Sequence, residues 1–322
     1  MARSLWHRGV PLALLVLGSL LSSPAGTQAQ VYLTQWGTFG NGDGQFIEPH
    51  GVATDPAGNV YVSDYGNSRI QKFTATGVYL TQWGSYGPGP GQFEDPRALA
   101  TDAAGNVYVV DWGNERVQKF TGTGTFLTQW GSPGSGDGQF YGPQGIATDA
   151  AGNVYVTEFG GLRVQKFTGT GTYLTQWSTG GLFPMGIATD AAGNVYVTDV
   201  LGAVVTKFSN TGTFITQWGV PGSGDGQFAY PRSVATDPAG NVYVADTWNY
   251  RIQKFTATGT YLAQWGSYGG GDGQFNEPWG MATDLAGNVY VVDIYNSRVQ
   301  KFGDAPVSIE ATSWGQIKAA YR

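Results

Sequence analysis

The 322-residue chain has no cysteine, only two histidines and three methionines, and charged side chains make up just 12% of it. Without cysteine there are no disulfides, no thiolate metal sites and no thiol nucleophile, so a chain of this size must be held by its core. A membrane span is missing too. The apolar run Val10 to Leu21 falls short of the ~20 residues a spanning helix needs, and no later segment is longer or more apolar. Basic residues are fewer than acidic ones, 17 against 23. That balance argues against nucleic acid, because proteins that gain affinity by releasing counterions from phosphates carry a basic face. No serine lies in a G-x-S-x-G elbow, which removes one route to nucleophilic catalysis.

The early apolar run follows Arg3 and Arg8 and precedes the small-residue stretch ending at Ala29, the order of features in an export signal. Residues 1–29 are therefore expected to be removed, and the protein to be secreted or periplasmic. The expected mature chain carries 15 basic and 23 acidic side chains, a balance of −8.

What the sequence has in abundance is glycine, 51 residues of it, and repetition. The tripeptide GNV recurs at Gly58, Gly105, Gly152, Gly193, Gly240 and Gly287, spaced by 47, 47, 41, 47 and 47 residues. The dipeptide QW ends at Trp36, Trp83, Trp130, Trp177, Trp218 and Trp265. Each copy holds four short stretches rich in β-branched and aromatic residues, such as GVATD, NVYVSD, RIQKFT and VYLTQW, bounded by Gly, Asp, Asn or Pro. These read as four strands. Asp55-Pro56-Ala57-Gly58 has the turn chemistry to join the first two, since Pro fixes φ and Gly supplies a positive one.

A four-stranded unit of this size cannot bury both faces alone, whereas six arranged radially can. The expected fold is all-β, a six-bladed β-propeller over residues 30–303, with a separate tail at 304–322. The ends of the array support a ring over an open solenoid, which would need polar capping repeats. Val31 to Gly37 is a fourth strand without its first three, and Pro278 to Phe302 is three strands without a fourth. The N-terminal strand is expected to complete the last blade.

The pattern GDGQFxxPxGxAxDxxGNVYVxDxxNxRxQKF resembles the NHL repeat from Gln30 to Phe302. That resemblance implies the same six-bladed ring. It does not imply one activity, because NHL families include extracellular sensor domains, RNA-binding modules and an amidating lyase. The lyase uses several histidines on zinc, and beyond residue 29 only His50 remains.

Differences among the copies point to the site. Loops joining strands one to two and three to four barely vary and lie on one face, which reads as structural. On the other face, the residue after the proline that opens each inner strand is His50, Arg97, Gln144, Met185, Arg232 or Trp279. Tyr65, Trp112 and Phe159 follow the second strands of blades one to three, and Trp248 and Tyr295 lie one position further on in blades five and six. Large variable side chains in loops are expected to bind. Blade four departs throughout: its lead-in STGGLFPMG is six residues shorter, and Gly202 and Val204 replace the usual Asn and Arg.

The repeated acids Asp64, Asp111, Glu158, Asp199, Asp246 and Asp293, and the arginines five residues after most of them, read as scaffold rather than chemistry. One constellation offers an alternative. Glu48, Asp95 and Glu277 precede the inner-strand prolines of three neighbouring blades, with His50 two residues from Glu48, a set suited to a divalent cation that activates water. The expected function is thus a non-catalytic, monomeric recognition or scaffold module for a protein, peptide or glycan, without a cofactor. The alternative is a metal-dependent propeller hydrolase or lyase.

Overall fold

The computed structural model describes residues 30–304; the expected export signal and the tail beyond Asp304 lie outside the described residues. Within them are six four-stranded antiparallel sheets. Blade one runs Pro49–Thr54, Val60–Asp64, Arg69–Phe73 and Tyr79–Trp83, from the axis outward. Second strands are buried along their whole length, while the outer strands of blades one, two, three and six alternate half-buried and exposed residues. The sequence carries the same contrast, near-continuous VYV runs against the alternating YLTQW, because blades sandwich the inner strands on both faces.

The ring closes as expected. Val31–Trp36 pairs antiparallel with Arg298–Gly303, from Val31 opposite Gly303 to Trp36 opposite Val299. The core lies between blades and not within them. Tyr290, Val292 and Val299 of blade six pack with Phe46, Val52, Val60, Val62 and Phe73 of blade one, just as Tyr61 and Ile70 of blade one pack with Val107, Val109 and Phe120 of blade two. Each outer-strand tryptophan is covered by the next blade. Gly77 lies over Trp36 at φ +85°, where a Cβ would come within 2.6 Å of the indole, so the turn needs glycine on two counts.

Two sets of hydrogen bonds tie neighbouring blades on the uniform face. The Tyr61 hydroxyl and Lys72 Nζ of blade one both reach over to the Gly122 carbonyl of blade two, at 3.2 and 2.8 Å. Lys301 makes the equivalent bond from blade six to Ala75 of blade one at 3.2 Å. Nearer the axis the threonines that end the inner strands form a complete circle. Thr101 donates to the Thr54 carbonyl, Thr148 to Thr101, Thr189 to Thr148, Thr236 to Thr189, Thr283 to Thr236 and Thr54 to Thr283, all at 2.6–2.7 Å.

Candidate functional site

At the other end of the same six strands the chain makes no such circle. Proline fixes the start of each inner strand, a register shift follows it, and the residue after the proline turns its side chain into the channel mouth. The next position must be small, because inner strands crowd there: a Cβ on Gly51 would run into the Arg97 carbonyl. His50, Arg97, Gln144, Met185, Arg232 and Trp279 together line one cavity of about 70 Å³. The structure thus gathers all six residues that the differences among copies singled out.

Their contacts divide the mouth into two sides. His50 is buried and stacked between Tyr65, 4.2 Å away, and Trp279, 4.7 Å away. The Arg232 guanidinium lies 3.5 Å from the Trp279 ring centroid, and beyond it Tyr230 stacks on Trp248 at 3.7 Å. On blade two, Arg97 lies 4.1 Å from the Trp112 ring centroid and donates to Gln144 Oε1 at 2.6 Å. Blades three and four supply the apolar side, where Phe159 stacks on Phe183 at 4.5 Å and Met185 is buried. Trp248 and Tyr295 stand at the rim, each at least half exposed.

The two arginines of the polar side stand apart from the other arginines of the ring. Arginine ion pairs among the described residues belong to Arg69, Arg116, Arg163, Arg251 and Arg298, each Nε 2.7–2.8 Å from the acid of its own blade. Arg97 and Arg232 are not among them. Both have a buried Nε without a hydrogen-bond partner, as does Nδ1 of His50. Burial lowers both arginine pKa values from an ordinary value that is far above neutrality, so both stay charged. His50 is pulled down to about 3, by burial first and then by the charges of Arg97 and Arg232, so it is neutral at physiological pH. The mouth therefore presents two guanidinium groups whose buried Nε–H groups lack an acceptor, beside a neutral imidazole.

The carboxylates do not converge. Among the described residues no three His, Asp or Glu side chains come together to hold a metal ion, so Glu48, Asp95 and Glu277 with His50 do not form the expected ligand set. The reason is in the backbone: all three acids occupy left-handed conformations at φ 50–62° on the lead-in to their blades, while His50 is sandwiched inside the channel. Asp95 and Glu277 instead act at a distance as counter-charges to Arg97 and Arg232. Two residues of the site were not anticipated. Tyr230 shares the backbone position of those acids, and its signal was that it breaks their series. Glu115 accepts the Gly142 N–H at 3.0 Å and lies within electrostatic reach of Arg97.

The scaffold reading of the repeated acids holds in detail. Asp64 is fully buried and accepts hydrogen bonds from Arg69 Nε, Asn67 Nδ2, Gln71 Nε2 and the Ile47 N–H. The pattern of the NHL repeat family matches residues 46–73, 93–120, 140–167, 228–255 and 275–302, one segment in every blade except the fourth. The chain is an NHL-repeat protein. A stretch of 50 residues is 44% identical to the B-box type zinc finger protein ncl-1 of Caenorhabditis elegans, spanning 16% of this chain and 6% of that protein. This NHL-repeat chain is also similar in fold to a protein of unknown function from Bacteroides thetaiotaomicron, at a TM-score of 0.68 and 19% identity over 85% of this chain and 76% of that one. A streptogramin B lyase matches at a TM-score of 0.62 and 17% identity, over 85% of this chain and 97% of that one. Identities this low show a shared ring and not a shared chemistry.

Proposed function

We propose that this NHL-repeat propeller is a non-catalytic recognition module that binds an acidic peptide or protein loop at the mouth of its channel. The observation that carries the reading is the pair Arg97 and Arg232, two guanidinium groups with no carboxylate in ion-pair contact among the described residues, each laid on an indole and each with a buried unsatisfied Nε. A carboxylate supplies the missing acceptors. The apolar arc of Phe159, Phe183 and Met185 would take an adjoining hydrophobic side chain. Arginine and tryptophan in desolvated pockets are common hot spots, costing about 2 kcal/mol or more on truncation.

Calorimetric titration of an acidic peptide library tests the proposal. For a captured peptide, Arg232→Ala or Trp279→Ala should weaken binding by about thirtyfold or more, while Thr258→Ala on the uniform face should change nothing. A peptide indifferent to the mouth variants and sensitive to the uniform face would overturn it. Location outside the cytoplasm is proposed from the order of features in residues 1–29. Intact-mass measurement should find a chain beginning at Gln30, and a soluble cytosolic chain retaining those residues would refute the assignment.

A further inference from the structure

In five blades the buried acid is neutralised from within. The arginine five residues later in blades one, two, three, five and six binds that acid and also the amide oxygen of an outer-strand glutamine, Gln82, Gln129, Gln176, Gln264 or Gln35, at 2.6–2.9 Å. Blade four keeps the acid, Asp199, and the glutamine, Gln217, and loses what joins them. Where blade one has Asn67, Arg69 and Gln71, blade four has Gly202, Val204 and Thr206, so three side-chain donors to the carboxylate disappear at once.

Asp199 is nevertheless only 4% exposed. Its oxygens accept the N–H groups of Leu182, Phe183 and Gly202, but among the described residues it makes no ion pair. In place of the arginine there is a cavity of about 130 Å³ lined by Asp199, Thr206 and Gln217 together with glycines of the shortened lead-in. That is roughly ten times the 10–15 Å³ one water requires. Leu182 lines it and is 66% exposed, and Leu201, the neighbour in sequence of the lining residue Gly202, is 50% exposed.

We propose that blade four is a socket for an arginine side chain of a peptide or protein partner. The planar guanidinium has donors enough to bind the carboxylate and the Gln217 amide oxygen together, as it does in the sister blades, whereas an ammonium is a point charge that matches one of them. The two exposed leucines would cover the aliphatic stem and the partner's neighbouring residues. A buried carboxylate without a counter-charge gains most from a partner that brings one. The socket is independent of the channel mouth and stands whether or not an acidic segment binds there.

The test is a titration of isotopically labelled protein with acetyl-Leu-Arg-Leu-amide and with the same peptide carrying citrulline, which has the shape of arginine without its charge. The arginine peptide should shift the amide resonances of Leu182, Phe183 and Gly202 and bind at least tenfold more tightly than the citrulline peptide. Val204→Arg, which supplies a guanidinium from the chain itself, should abolish the binding and raise the melting temperature by about 2 °C or more, the shift expected per kcal/mol in a protein of this size. Asp199→Asn should abolish the binding too, and it serves alone if Val204→Arg fails to fold. Equal binding of the two peptides, or full binding by Val204→Arg, would overturn the socket. Argininamide binding as tightly as the peptide would overturn its assignment to a peptide partner. Arg232→Ala should leave every one of these readings unchanged.

Discussion

Each inner strand has two ends only four residues apart, and they do opposite things. At Thr54 and its five counterparts, identical side chains donate to identical carbonyls around a closed circle, and no hydroxyl is left over. At His50 and its five counterparts, six positions hold five kinds of side chain, and three of them have a buried nitrogen without a partner. Repetition lets each blade satisfy its neighbour, so a face built from it has little to offer a ligand. Departure from repetition leaves hydrogen-bonding capacity unspent. Binding chemistry in this ring is therefore to be sought where one blade fails to match the others.

Three interventions sharpen this contrast. The largest effect is expected from removing Val31 to Trp36, which strips both ends of their closure. Loss of the Trp36 side chain alone should cost roughly 3–5 kcal/mol, or about 10 °C in melting temperature, and the strand edge uncovered on Arg298–Gly303 favours aggregation. A chain beginning at Gly37 that melts with the parent would end the closure account.

A smaller effect concerns acid at the variable end. His50 has a folded pKa of about 3 against an ordinary 6.5. A group depressed on folding contributes stability that is present above the unfolded value and is lost as pH falls toward the folded one. The melting temperature should therefore decline between pH 6.5 and 4. His50→Phe keeps a ring between Tyr65 and Trp279 and should flatten that decline; parallel curves for the two proteins would show that His50 is not its source. The smallest effect belongs to the uniform end. Thr148→Val removes one link of the circle and should cost about 1 kcal/mol, read as a few degrees in a thermal melt, with peptide affinity at the mouth unchanged. A change in affinity would mean that the two ends are coupled.

The fold was readable from sequence because its information is repeated: six GNV turns, six QW strands, a lone fourth strand at one end and three strands lacking a fourth at the other leave one closed arrangement. The mouth was readable for the converse reason, as the place where copies disagree. What sequence could not convey was direction. Glu48, Asp95 and Glu277 belong to neighbouring blades, and proximity of blades was read as convergence of carboxylates. Each of those acids sits in left-handed backbone before the proline, on the lead-in to the strand, and only the residue after the proline enters the channel. Nor could Val204 be read as more than a missing arginine until the fold set Asp199 and Gln217 on the two sides of the gap.

The seam at the closing strand also has a mechanical meaning. Val31 lies opposite Gly303, so the two ends of the described chain leave the ring at the same end of one strand pair, and only the 3.1 Å bond from Gln30 Nε2 to Asp304 Oδ1 spans them. Tension between residues 30 and 304 would not load the five rungs of that ladder together. It would peel them singly, starting from Val31 and Gly303 and reaching Trp36 last, so the ring's weakest direction under force is the one along which its own chain ends are pulled apart.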